Sequence, residues 1–138
     1  MYQQQRSQYI TYYNRHNLNC DIDAYIDPKK RFIKDLDILL EDARASDNDI
    51  ILTGDFNEEI GISQTAVTKL CMKHGLIDAM DRRHGVSTTI ATYKRGPNRI
   101  NYTLVTRHIK DHIQQAGHLL FDEILVSDRR ASFLDLDL

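Results

Sequence analysis

Asp27-Pro28 opens the segment that most limits how this chain can fold. An aspartate side chain can accept from the open N–H groups of a first helical turn, and proline suits that turn because its missing N–H costs nothing there. Phe32, Leu36, Leu39, Leu40 and Ala43 follow at spacings of three and four, which gives a helix over 28–45 one apolar face. Ser46-Asp47-Asn48-Asp49 is a turn cluster. Ile50-Ile51-Leu52-Thr53 is a short, β-branched apolar run halted by Gly54, and it predicts a strand buried on both faces. A helix leading into such a strand predicts a layered α/β domain with helices packed on a mixed β-sheet.

The flanking segments fill in that plan. Residues 2–16 carry a loose apolar stripe (Tyr2, Tyr9, Ile10, Tyr12, Tyr13) that could form a helix, and 17–27 reads as a loop. Ser63 can cap a helix whose inner face is Val67, Leu70, Cys71 and His74, and Gly75 suits its left-handed end. Leu76 to Ala79 is short and extended. Strands are expected at 87–93 and 99–106, separated by the turn Lys94-Arg95-Gly96-Pro97-Asn98. A brief helix at 107–112 and strands at 113–118 and 131–137 complete the order.

At 138 residues the chain fits one domain. A net charge of −2 supplies no global basic field to attract nucleic acid, so phosphate recognition would have to be local. Cys20 and Cys71 have no metal-ligand spacing and are expected to be reduced, inert thiols. No apolar run approaches the ~20 residues that span a membrane, and Met1-Tyr2-Gln3-Gln4-Gln5-Arg6 has no apolar core of a signal peptide. The expectation is an intracellular protein, cytoplasmic or nuclear, without a membrane partner.

Three polar groups could carry chemistry. Asp55 and Asn57 follow the buried strand, and two polar groups at a strand's C-terminal end can both face one cleft. Asp can hold a hard cation or orient a water, and Asn can donate to a phosphoryl oxygen. The plainer possibility is that Asp55 starts a turn and Asn57 satisfies its backbone. Ser127-Asp128-Arg129-Arg130 is either a solvated turn or a carboxylate for a metal beside guanidinium groups for phosphate. Asn101, in Arg99-Ile100-Asn101-Tyr102, sits in a strand pattern where Asn is disfavoured, as a core polar group or a site residue. His108 and His112 are four apart, but zinc usually takes three or four protein ligands and no glutamate follows His108, so both are expected to be ordinary surface residues.

In order and spacing, these three groups resemble the endonuclease/exonuclease/phosphatase superfamily. Gly54-Asp55-Phe56-Asn57 is similar to the family's Gly-Asp-Phe-Asn after a buried strand. Arg99-Ile100-Asn101-Tyr102 is similar to its Arg-Ile-Asp-Tyr, and Ser127-Asp128-Arg129 to its Ser-Asp-His before a closing strand. From Tyr2-Gln3-Gln4-Gln5 through the helix at 28–45 the chain looks most like the retrotransposon-type branch. The resemblance implies the C-terminal part of a four-layer, deoxyribonuclease-like α/β sandwich. Residues 1–138 would then be a single partial domain lacking the family's N-terminal half, which supplies an Asn and a Glu for Mg²⁺. It further implies that Asp55 orients or activates water, that Asn57 contacts the scissile phosphate, and that Asp128 lies at the metal or water position. Apart from the resemblance, Asn57, Arg99, Arg129 and Arg130 are candidate substrate-binding residues, and with Lys94 and Arg95 they could form a local cationic groove in a non-catalytic phosphate-binding module.

Two departures bear on activity. Arg129 stands at the family's His position and Asn101 at the position of the Asp that holds that His. Arginine stays protonated and cannot act as a base. Changing the Asp of an Asp–His pair to Asn can alone cost about 10⁴ in rate, and such losses are not multiplied because paired residues act as a unit. The expected function is therefore a truncated, degenerate relative of a Mg²⁺-dependent phosphodiesterase acting on phosphate esters such as nucleic acid. The alternatives are a non-catalytic module for a phosphate-rich ligand or for a protein covering an exposed sheet face, and an active nuclease completed by another chain.

Overall fold

The computed structural model describes residues 27–61, 64–85, 90–122 and 126–137. The expected helix at 2–16, the loop at 17–26 and Cys20 lie outside them. The chain divides into two compact units, Met1–Leu39 and Leu40–Leu138.

The described part of the first unit is most of helix α1 (Pro28–Ala45). Asp27 starts it as the sequence indicates: its Oδ1 accepts from Lys29 N at 3.0 Å, and its carbonyl accepts from Arg31 N at 3.0 Å. Arg31 pairs one turn on with Asp35 at 2.9 Å. The apolar face is only partly covered. Leu36 and Leu40 are buried, whereas Phe32 and Leu39 are 50% and 63% exposed.

The second unit holds two sheets. Strands β1 (Ile51–Asp55), β2 (Ile77–Asp78) and β3 (Asn101–Val105) form one, in the order β1-β3-β2. Strands β4 (Ile113–His118) and β5 (Ser132–Leu136) form the other. Among the described residues the strand pairings are antiparallel, where a mixed sheet was expected. The fold is mixed α/β, with helices and antiparallel sheets. β1 also departs from expectation. It lies at a sheet edge and alternates: Ile50 just before it is buried, Ile51 is 47% exposed and Leu52 is half-buried. Four consecutive apolar residues cannot distinguish a doubly covered strand from one covered on a single face. The doubly covered strand is β3, where Tyr102 to Val105 are all buried.

Three short helices cover these strands. α2 (Ala66–His74) buries Val67, Leu70, Cys71 and His74, the face read from the sequence, and ends at Gly75 with φ 64°. Its cap is Thr65, whose hydroxyl accepts from Thr68 N, in place of the expected Ser63. The segment read as extended from Leu76 to Ala79 holds β2, and α3 (Ala79–His84), not read from the sequence, begins just after it where Asp78 accepts from Met80 N. α4 (Arg107–Asp111) matches the expected short helix. Ala79, Met80, Val105, Ile109 and Ala116 form a core against which Ile113, Leu134 and Leu136 pack, so α3, β3, α4, β4 and β5 share one interior. The expected strand at 87–93 is reduced, within its described part, to a single bridge between Tyr93 and Arg129. Among the described residues no helix is long and apolar enough to cross a membrane.

Candidate functional site

The end of β1 and the start of β3 meet because their register sets Asp55 opposite Asn101. Phe56 N continues the pairing by donating to Ile100 O at 2.9 Å, and the chain then turns away. Asp55 makes that turn: its Oδ1 accepts from Asn57 N at 3.1 Å. Asn57 takes the left-handed conformation, φ 53°, which Asn tolerates better than most residues. The loop is tied back by Tyr102, whose Oη accepts from Ile60 N at 3.0 Å and donates to Arg99 O at 2.7 Å.

Residues 127–130 arrive at the same place through Thr92, which is fully buried. Its hydroxyl oxygen accepts from both Ile100 N and Asn101 N, at 3.0 and 3.1 Å, while its carbonyl accepts from Arg130 N at 3.1 Å. One threonine thus holds the start of β3 and the 127–130 segment together where no regular ladder runs. Lys94 N donating to Asp128 O at 2.9 Å extends the join.

Arg129 is the centre of the resulting group. Its Nε donates to Asp55 Oδ2 at 2.8 Å, and its guanidinium carbon lies 4.0 Å over the Tyr93 ring. Asp128 Oδ2 is 3.6 Å from its Nη1, close enough for charge attraction but too long for a hydrogen bond. Burial works against the Arg129 charge, but the bond to Asp55, aided by Asp128, outweighs it and raises the pKa above the ordinary arginine value. Both lone-pair regions of Asp55 are therefore engaged, one by its own turn and one by a permanent cation. Asn101 Oδ1 and Arg129 Nη1 are buried and have no hydrogen-bond partner among the described residues.

The structure brings Asp55, Asn101, Asp128 and Arg129 together and engages the other expected substrate arginines elsewhere. Arg99 is buried and makes a two-pronged ion pair with Asp78, at 2.7 and 2.8 Å. Arg130 Nε donates to Ala91 O at 2.9 Å and its Nη1 to Leu119 O at 3.1 Å, with the guanidinium over Phe121. Two carbonyls and an aromatic face hold that group as a strut. Lys94 pairs with Asp122. Both guanidinium groups expected to bind substrate thus have protein partners. Tyr93 and Thr92 were not singled out from the sequence, and neither residue type signals a site. Asp78 did leave a legible sign, since an Asp before Ala79-Met80-Asp81 has the form of a helix cap.

Burial, with Asp78 nearby, pushes the Cys71 thiol up to about 11, so this free cysteine is a poor nucleophile. The described residues contain no group of three or more His, Cys, Asp or Glu disposed to hold a metal ion. No protein-family model matches the chain, and no curated protein matches it.

Proposed function

We propose that this chain is built on the plan of the C-terminal part of a four-layer, deoxyribonuclease-like sandwich, and that it descends from a Mg²⁺-dependent phosphodiesterase without keeping useful hydrolysis. The observation that carries this reading is the 2.8 Å pair between Arg129 and Asp55. In the resembled family Asp55 would orient water and the residue at 129 would be a histidine; here the first is neutralised by the second. The donor set does not fit Mg²⁺ either. Asp55 and Asp128 both lie against the Arg129 guanidinium, so a divalent ion approaching them would meet a fixed positive charge. No step is assigned to the metal in this chain.

Nicking of supercoiled DNA in Mg²⁺ tests the proposal. The chain and its Asp55→Ala variant should both stay at background. Cleavage by the parent that vanishes in Asp55→Ala would restore the active-nuclease reading.

A second reading, a protein-binding module, is favoured by β1. Among the described residues it pairs only with β3, and Ile51 on it is 47% exposed. Such an edge can accept another strand. Monomeric elution at all concentrations, with no binding of a hydrophobic dye, would argue against it.

A further inference from the structure

His108 and His112 are held in a way that surface histidines ordinarily are not. His108 Nδ1 lies 2.6 Å from Asp49 Oδ2, and the same carboxylate accepts from Thr106 Oγ1 at 2.8 Å. Thr106 Oγ1 in turn accepts from Ile50 N at 3.2 Å, so Asp49 is itself fixed in place. His112 Nδ1 lies 2.5 Å from the Asp137 carbonyl, and Asp137 N donates back to His112 O at 3.0 Å. A carboxylate and a carbonyl can only accept, so each Nδ1 must carry a proton. In the neutral ring the lone pair is then on Nε2. This is the orientation found in metal-binding histidines, whose second nitrogen donates to a carboxylate or a carbonyl.

The ring spacing fits the same purpose. The two ring centres are 4.8 Å apart, with planes inclined at 65°. With metal–nitrogen bonds of about 2.0 Å, two imidazoles on one ion place their centres roughly 4.5 to 5.2 Å apart between right-angled and tetrahedral geometry. We infer that His108 and His112 form a two-imidazole chelate for a borderline divalent transition ion such as Cu²⁺, Ni²⁺ or Zn²⁺, completed by water. Imidazole ligands select these ions over Mg²⁺ or Ca²⁺. His108 is 67% exposed, so the ion has access from solvent. Hydrogen bonds hold its two rings to Asp49, before β1, and to Asp137, after β5. None of its residues belongs to the Asp55 group, and it does not rest on the phosphodiesterase reading.

The test is titration of the metal-free full chain with Cu²⁺, followed by calorimetry and electron paramagnetic resonance. The expected result is one saturable site with two imidazole nitrogens on copper. Affinity should fall at least about tenfold in His108→Ala and in His112→Ala, and by a smaller factor in Asp49→Asn, which spares both ligands. Copper should raise the thermal midpoint of the parent and not that of His108→Ala, because the ion binds only the assembled residues. Circular dichroism of His108→Ala, a change at an exposed position, separates lost binding from lost folding. No saturable binding, or equal affinity in parent and His108→Ala, overturns the inference.

Discussion

Arg99 and Arg129 make the same kind of bond in two settings. Arg99 and Asp78 have side chains only 8% and 5% exposed, and Arg129 and Asp55 have 30% and 28%. The first pair is closed into the protein, and Asp78 also caps α3. The second stays half-open at the end of a sheet, beside Tyr93 and Asp128. Their surroundings set what each can do. A buried pair is indispensable once formed, because either partner left alone is a stranded charge. A half-open pair adds little to stability.

The largest expected difference is therefore between Asp78→Ala and Asp55→Ala. Removing Asp78 strands the Arg99 guanidinium and uncaps α3, and should cost about 3–5 kcal/mol in denaturant unfolding. Removing Asp55 should cost about 1 kcal/mol or less. Similar losses from both would erase the distinction. Thr92→Val comes next. The near-isosteric change leaves the Ile100 and Asn101 N–H groups without their acceptor, and should cost about 1–3 kcal/mol. Because Thr92 joins the two regions, its loss should also alter the exposure of Tyr93, which fluorescence quenching would report. A double-mutant cycle between Asp55 and Arg129 should give a smaller coupling, about 0.2–1 kcal/mol, shrinking as salt is added. A coupling that salt leaves unchanged would place this pair with the buried one.

The last test is a pH dependence, which is absent at neutral pH and develops only in acid. Burial, then the charges of Arg99, Arg130 and His84, pushes His118 down to about 4 from 6.5. The unfolded chain therefore takes up this proton at higher pH than the folded chain. The stability His118 contributes is fully present above about 6.5 and is lost as pH falls toward about 4. His118→Gln should flatten that part of the thermal-midpoint profile. An unchanged slope would assign it to other groups.

Much of the fold could be read locally, and much of the site could not. The helix at 28–45, the inner face of α2, its Gly75 end and the strand at 113–118 all declare themselves through spacing and caps. β1 was misread because a short apolar run does not encode its place in the sheet; edge position depends on which distant strands pair. The antiparallel pairing of β3 with both neighbours is equally non-local. At the site, the sequence pointed to Asp55, Asn101, Asp128 and Arg129, and the structure gathers these four. It did not show that Arg129 would turn to Asp55, nor that Arg99 and Arg130 were already committed, since partner choice is fixed only by tertiary geometry. His108 and His112 read from the sequence as ordinary surface residues, by ligand count and the lack of a glutamate after His108. The acceptors that fix their rings, Asp49 and the Asp137 carbonyl, lie 59 and 25 positions away.

The Arg129–Asp55 bond also closes a span of 74 residues. Contacts between such distant positions bear the full loop-closure entropy and tend to form late on the way to the native state. An interaction absent from the folding transition state changes the rate of unfolding and leaves the rate of folding nearly untouched. A pair formed late acts as a latch. Its modest contribution at equilibrium is expected to show in the unfolding rate, with Arg129→Ala speeding unfolding more than it slows folding.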